Sequence, residues 1–262
     1  MKLFKYLPFI LFFSCIDLIT QTTIYNSLYF EGGAWIEIDT IDNMKLDSND
    51  FTLQFWVSGS DVHAEDGPAL FSLIDLQKKV KLALFRDSGQ QSAIVTIINS
   101  VETLTTINEI DWSNPDKFYL ISILFSDNRG VRAYLNENIF LNITEPMIAD
   151  DTKLMIGIQA NEDLSMMGNY WYGYIDEIRL WNTWLADSTI QFQSNHPNKF
   201  GEHYRYTEDG VEIDTYLDSL IGLWRLNLEE ASAIMVDESD YGHHGEIFTP
   251  YNTVKLSEKG AK

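Results

Sequence analysis

Apolar and polar side chains alternate without a break along Phe51-Thr-Leu-Gln-Phe-Trp-Val57. Phe51, Leu53, Phe55 and Val57 fall on one side, Thr52, Gln54 and Trp56 on the other. Only an extended strand separates its side chains with a period of two, so this segment belongs in a sheet with one face against apolar partners. The signal recurs down the chain. Residues 69–76 and 80–86 flank Gln77-Lys-Lys79 as a hairpin, and 92–98 and 102–107 read as a second one. Residues 118–125 are apolar on both sides, as a strand covered on both faces must be. Asp127-Asn-Arg-Gly130 supplies a turn, because Asn and Gly tolerate positive φ. Beyond it Val131, Ala133 and Leu135 point inward, Arg132 and Tyr134 outward. Asn136-Glu-Asn138 turns the chain into 139–141, and 153–158, 170–181 and 220–226 add further strands. Asp187-Ser-Thr189 opens a helix with acceptors for free N–H groups; Ile190 and Phe192 give it an apolar side and Pro197 ends it. A second short helix is expected within 211–220 from Val211, Ile213, Tyr216 and Leu217. About a dozen short strands with one or two surface helices predict an all-β, two-sheet antiparallel sandwich.

The N-terminus carries Lys2 and Lys5 and then an apolar run over 7–13, the pattern of an export signal. That run is far short of the ~20 residues that span a bilayer, so a soluble mature chain is expected. Phe12-Phe-Ser-Cys15 resembles a bacterial lipobox, with Ser14 as the small residue before the cysteine but Phe12 where Leu is usual. The alternative is ordinary cleavage within 15–24, where no Ala-x-Ala site stands. Cys15 is the only cysteine, so no internal disulfide forms and stability rests on the core, with or without a metal. Losing Lys2 and Lys5 with residues 1–14 moves the net charge from −21 to −23. Such a surface repels phosphate backbones, which excludes nucleic acid as a partner, and disfavours anionic polysaccharides unless a cation bridges them. It also serves plain solubility. Six Pro, fifteen Gly, no Ser/Gly-rich linker and no internal repeat leave one domain over 26–250, after a signal peptide 1–14 and a linker 15–25 and before a tail 251–262.

Two phrases stand out: Gly173-Tyr-Ile-Asp-Glu-Ile-Arg-Leu-Trp181, and Leu220-Ile-Gly-Leu-Trp-Arg-Leu226 followed by Asp237-Glu-Ser-Asp-Tyr-Gly-His-His-Gly245. Leu28-Tyr-Phe-Glu-Gly-Gly-Ala-Trp-Ile-Glu-Ile38, the strand at 51–57, Trp112 before Phe118-Tyr-Leu-Ile121, Ala133-Tyr-Leu-Asn-Glu-Asn138, and Trp181-Asn with Leu185-Ala-Asp-Ser-Thr-Ile190 complete the set. In this order they resemble the laminin-G-like and pentraxin-like branch of the concanavalin A-like jelly rolls over about 26–250. The resemblance implies a jelly roll that binds a carbohydrate or an extracellular protein at the cell surface rather than a catalyst, although this fold hosts many functions.

Laminarinase-type hydrolases of that fold carry Glu-x-Asp-x-x-Glu on one strand, which sets nucleophile and acid/base on one face. Glu37-Ile-Asp39-Thr-Ile-Asp42 has Asp in the acid/base place and Glu212-Ile-Asp214-Thr-Tyr-Leu217 has Leu. A shortened or missing acid loses hydrogen-bond reach, so no hydrolase is expected. No nucleophile elbow, P-loop, His-Glu-x-x-His or dinucleotide fingerprint occurs. His243-His244 beside Asp237 and Asp240 suits a turn better than zinc, because adjacent loop residues rarely share an ion. The resemblance implies a structural calcium, for which Glu31, Asp176 and Asp237 are the candidate ligands; turn capping, with an arginine partner for Asp176, is the alternative. Trp56, Tyr134, Trp171 and Tyr172 are the candidate sugar-stacking aromatics, and core packing is the ordinary fate of such rings. Asn142-Ile-Thr144 matches a glycosylation acceptor and equally an inert turn. A carboxylate pair in a groove would favour an enzyme, an aromatic groove a lectin, and a flat apolar patch a structural component. The anchor is tested first: Cys15→Ala should release the protein from the membrane fraction or leave it unprocessed. Unchanged membrane association with an unlipidated Cys15 would contradict the lipoprotein reading.

Overall fold

The computed structural model describes residues 27–40, 50–60, 68–75, 80–86, 93–98, 101–107, 110–145, 152–158, 169–197, 199–200, 205–206, 212–213, 219–226, 232–250 and 254–261. The export segment, Cys15 and Asp42 lie outside them. In chain order the strands are β1 (Ser27–Glu31), β2 (Trp35–Thr40), β3 (Asp50–Ser58), β4 (Ala69–Asp75), β5 (Val80–Arg86), β6 (Ala93–Ile98), β7 (Val101–Thr106), β8 (Tyr119–Ser126), β9 (Gly130–Leu135), β10 (Asn138–Ile143), β11 (Thr152–Ile156) and β12 (Tyr172–Trp181). Helix α1 (Asp187–Asn195) follows, then β13 (Arg205–Tyr206), β14 (Glu212–Ile213), β15 (Leu220–Arg225), β16 (Ile234–Met235), β17 (Gly245–Phe248) and β18 (Val254–Ser257).

Two antiparallel sheets pack face to face. Sheet A runs β10-β9-β8-β3-β12-β1-β18, with β15 also on β12; sheet B runs β16-β17-β2-β11-β4-β5-β6-β7. The inward half of each alternating strand makes the core. Phe51, Leu53, Phe55 and Val57 of β3 join Ile121, Ile123 and Phe125 of β8 from one side, and Ile36, Phe71, Leu73, Leu84 and Ile156 from the other. The Phe55 and Phe71 rings meet at 5.2 Å. This is the two-sheet jelly-roll architecture expected from the strand periodicity and the resemblance. A ribbon of β13 and β14 takes up part of the span where a second helix is expected. Residues 254–257, placed by the sequence in a tail after the domain, form β18 against β1.

Sheet A owes its second buried face to α1. Leu124, Tyr134, Trp181, Leu185, Ile190, Leu220 and Leu223 form an apolar cluster there, so β3 is buried on both faces from Phe51 onward. Asp187 does not cap the helix. The N-cap is Ala186, with no side-chain cap bond. Asp187 Oδ1 instead accepts the Tyr134 hydroxyl at 2.8 Å, which ties the first turn to β9.

β12 changes partner midway. Its residues up to Ile175 pair with β1, and those from Glu177 pair with β15. Opposite β3 its register slips between Ile175 and Ile178, which face Val57 and Phe55. The extra residue is a bulge, and it sends both isoleucines into the core. Unbroken alternation along β12 would put Asp176 on the face of Ile178 and Leu180, and the bulge breaks that alternation. Asp176 sits at the partner switch, 9% exposed, and accepts the N–H of Ala261 at 2.8 Å. Ser27 Oγ donates to the Lys259 carbonyl at 2.6 Å, a second tie on the same segment.

Burial raises the Asp176 carboxyl from its usual value to about 7; the Ala261 N–H opposes this, Glu177 adds to it, and Arg179 and Arg225 oppose it. The folded value thus lies above the unfolded one. The folded state binds the extra proton, so its stability contribution is full below about pH 4 and is lost as the pH rises through about 7. Asp176→Asn keeps an acceptor for Ala261 and removes the ionisation cost. Its melting temperature should exceed the parent's by several degrees at about pH 8 and match it near pH 4. An Asn variant that melts lower than the parent at the higher pH would show that the native carboxylate is ionised and stabilising.

Candidate functional site

The outward face of sheet A carries a buried polar chain that positions α1. Gln54 Nε2 donates to Gln193 Oε1 at 2.7 Å and to Ser122 Oγ at 3.0 Å, and Gln54 Oε1 accepts Trp181 Nε1 at 2.7 Å. Gln193 Nε2 passes the chain on to the Phe200 carbonyl at 2.6 Å. Arg179, 1% exposed, is ion-paired to Glu177 and donates from Nη2 to the Pro197 carbonyl at 2.5 Å, fixing the segment that leaves the helix. Burial lowers its guanidinium from the ordinary value, and Glu177 opposes that shift.

With α1 so held, its C-terminal end borders a cleft of about 630 Å³. Trp56 of β3 is its floor. Asp116, Lys117 and Phe118 before β8 make one wall, Asn136 after β9 a corner, Ser194, Asn195 and Pro197 a second wall, and Lys259-Gly260-Ala261 a third. Asn136 adopts φ 52°. It exchanges two hydrogen bonds with Leu120, at 2.7 and 2.9 Å, and Leu120 is the register partner of Trp56. Lys259 Nζ pairs with Asp116 at 2.7 Å and lies 5.3 Å from the Tyr174 ring centre, so the third wall is clamped to the first. The lining is aromatic below and amide, hydroxyl and ammonium above. Among the described residues one carboxylate, Asp116, reaches it. Such a surface can hold a polar ligand by hydrogen bonds; its described residues offer no pair of carboxylates for acid/base work.

The four candidate aromatics are dispersed. Trp56 lines the cleft, but at 4% exposure it is a floor rather than a stacking platform. Tyr134 is buried beneath α1, bonded to Asp187 and Arg132. Trp171 is wholly buried and packs edge-on against Trp112 at 5.5 Å. The Tyr172 ring lies on Gly32, where a Cβ would come within 2.3 Å of it. Lys117, Phe118, Asn136, Asn195 and Lys259 have no signal in sequence, since they come from segments far apart in the chain.

The candidate calcium ligands do not converge. Among the described residues no three His, Cys, Asp or Glu side chains form a group that could hold a metal. Glu31 pairs with Lys255, and Asp176 with the Ala261 amide. Asp237 is saturated: Oδ1 accepts the N–H groups of Leu223 and Ser239 at 2.8 and 2.9 Å, and Oδ2 accepts Ser239 Oγ and the His243 N–H at 2.7 and 2.8 Å. These carboxylates do not fit the ion. The Asp237–Gly245 turn is a structural clasp instead. The His243 carbonyl receives Trp224 Nε1 at 2.7 Å, and His244 Nδ1 accepts the Asp237 N–H at 3.1 Å. Gly222 leaves room for the indole, since a Cβ there would lie 2.3 Å from it. Of the carboxylate near-misses, Glu37 is on sheet B, bonded to Trp35 and paired with Lys153.

Comparison with solved structures agrees with this architecture. A candidate carbohydrate-binding protein from Bacteroides ovatus superimposes with a TM-score of 0.55 at 13% identity, covering 90% of this chain and 61% of its own. A heptameric SAP-like pentraxin from Limulus polyphemus gives 0.52 at 9% identity, covering 92% and 98%. A Trypanosoma rangeli sialidase solved with sialic acid gives 0.53 at 14% identity over 68% of this chain, but only 29% of the enzyme. At these identities the likeness is one of fold. No curated protein sequence matches the chain. A family model does match, over residues 30–191, more than half of the chain. The chain belongs to the concanavalin A-like lectin/glucanases superfamily, as a laminin-G-like member.

Proposed function

We propose that this chain is a non-catalytic binding module, exported by its N-terminal segment and anchored through Cys15, that takes a carbohydrate into the cleft above Trp56. The cleft itself carries the reading. Its volume of about 630 Å³ suits a small saccharide, and its walls present Lys117, Asn136, Ser194, Asn195 and Lys259 around an aromatic floor. The Bacteroides neighbour, described as a candidate carbohydrate-binding protein, supports the same class. The acidic surface and lone cysteine fit a chain that works outside the cell. A hydrolase of this fold would need two carboxylates across a groove. Among the described residues the cleft holds one carboxylate, Asp116, which is paired with Lys259.

A glycan array with the mature chain tests the proposal, read beside Ser194→Trp. Ser194 is partly exposed on the last turn of α1, where its hydroxyl donates to the Gln191 carbonyl and accepts from the Asn195 amide, both on the helix itself, so an indole there fills the cleft without entering the core. The parent should bind a defined glycan set, and the variant should lose at least ~10-fold, about 1.4 kcal/mol, at an unchanged melting temperature. Full binding by the variant would remove the cleft from the account.

A further inference from the structure

We propose that the edge of sheet B is a second docking surface, on the other side of the sandwich from the cleft, and that it takes an arginine-bearing segment of a partner protein against Glu246. Alternation fixes which side chains stand there. Met235, Ile247 and Ile36 enter the core, so Ile234, Val236, Glu246, Phe248, Trp35 and Glu37 project from the outer face. Ile234 is the register partner of Glu246, Glu246 of Glu37, and Phe248 of Trp35, which makes them lateral neighbours across β16, β17 and β2. β16 ends the sheet.

Two observations point to a missing partner here. The first is apolar exposure. Ile234 and Val236 are 54% and 52% exposed, two branched alkyl groups on one side of the chain. Beside them the partly exposed rings of Phe248 and Trp35 lie parallel within 6° at 5.1 Å. The second is charge. Glu246 stands directly opposite Glu37, and like charges in register repel. Lys153 pairs with Glu37, whereas Glu246 is exposed and meets no cation among the described residues. The surrounding sequence has none to offer: residues 226–254 hold six carboxylates and no Lys or Arg.

These features select the occupant. A carboxylate set among alkyl and aromatic groups favours a cation that is planar and weakly hydrated. A guanidinium meets a carboxylate with two parallel hydrogen bonds and packs against rings, while an ammonium keeps its water. Apolar side chains of the same segment would cover Ile234 and Val236. A second copy of this chain would set the same carboxylates against each other, and an anionic bilayer would be repelled. A saccharide stacks on an open ring face, but Phe248 and Trp35 turn faces toward each other.

A short peptide alternating arginine and valine is the probe, beside versions carrying citrulline or lysine. Citrulline keeps the shape of arginine and removes the charge. Fluorescence anisotropy at about 0.15 M salt, where distant charges are screened, should show the mature chain binding the arginine peptide ~10-fold tighter than the citrulline one, with lysine between them. Glu246→Gln should remove ~10-fold of the arginine affinity without lowering the melting temperature. Ile234→Ser combined with Val236→Ser should weaken all three peptides at an unchanged melting temperature, because both side chains are exposed. Glu137→Gln makes the same change in net charge at an exposed position between β9 and β10, and it should leave binding as it was. Equal losses in Glu246→Gln and Glu137→Gln would reduce the effect to general attraction by an acidic chain and overturn the inference. Absence of arginine-peptide binding, or citrulline binding as tight, would overturn it too, and lysine binding as tight would overturn the guanidinium assignment. Ser194→Trp should not touch peptide binding; a loss there would place the peptide in the cleft and contradict a second surface.

Discussion

The hydrogen bonds of Gln54 are the point on which the rest of the site depends. An amide in the middle of a strand buried on both faces has no water to turn to, and leaving it unpaired would cost ~1–3 kcal/mol. Gln54 meets that demand with Ser122 on β8, Trp181 on β12 and Gln193 on α1. One side chain thereby joins two neighbouring strands to the helix laid across them. An apolar residue at the same place would bury as well, but it would not select where along the sheet the helix rests. That selection matters, because the C-terminal end of α1 is a wall of the cleft. Buried polar networks specify position in this way when every member is satisfied.

The family phrases in the sequence prove to be structural devices. In Gly173–Trp181, Asp176 holds the Ala261 amide, Glu177 bridges Arg179 and Arg225, Arg179 fixes the helix exit, and Trp181 feeds Gln54. In the later phrase Gly222 makes room for Trp224 and Asp237 closes the turn over it. These residues belong to packing, which is why they announce a fold plainly and a ligand hardly at all.

The same contrast explains how far the sequence could be read. Strands with a steady period of two, β3 above all, were legible because alternation is local. The side of β12 on which Asp176 falls was not, because the bulge arises where the strand changes neighbours, and no local pattern encodes that. Asp187 looked like a helix cap by residue type, but Tyr134, distant in sequence, competes for its oxygen. Trp56 could be placed on the outward face from the alternation of 51–57 alone. That it floors a cleft could not, because the walls come from 116–118, 136, 194–197 and 259–261, which only the tertiary fold assembles.

Backbone hydrogen exchange in Gln54→Leu tests the central claim most directly. The substitution keeps the buried volume and removes the bonds to the helix, so amides across 187–197 should lose protection by ~10-fold or more while those of β8 and β9 keep theirs. Unchanged protection along α1, or a uniform loss across both sheets, would mean that packing alone sets the helix and that Gln54 does not position the cleft.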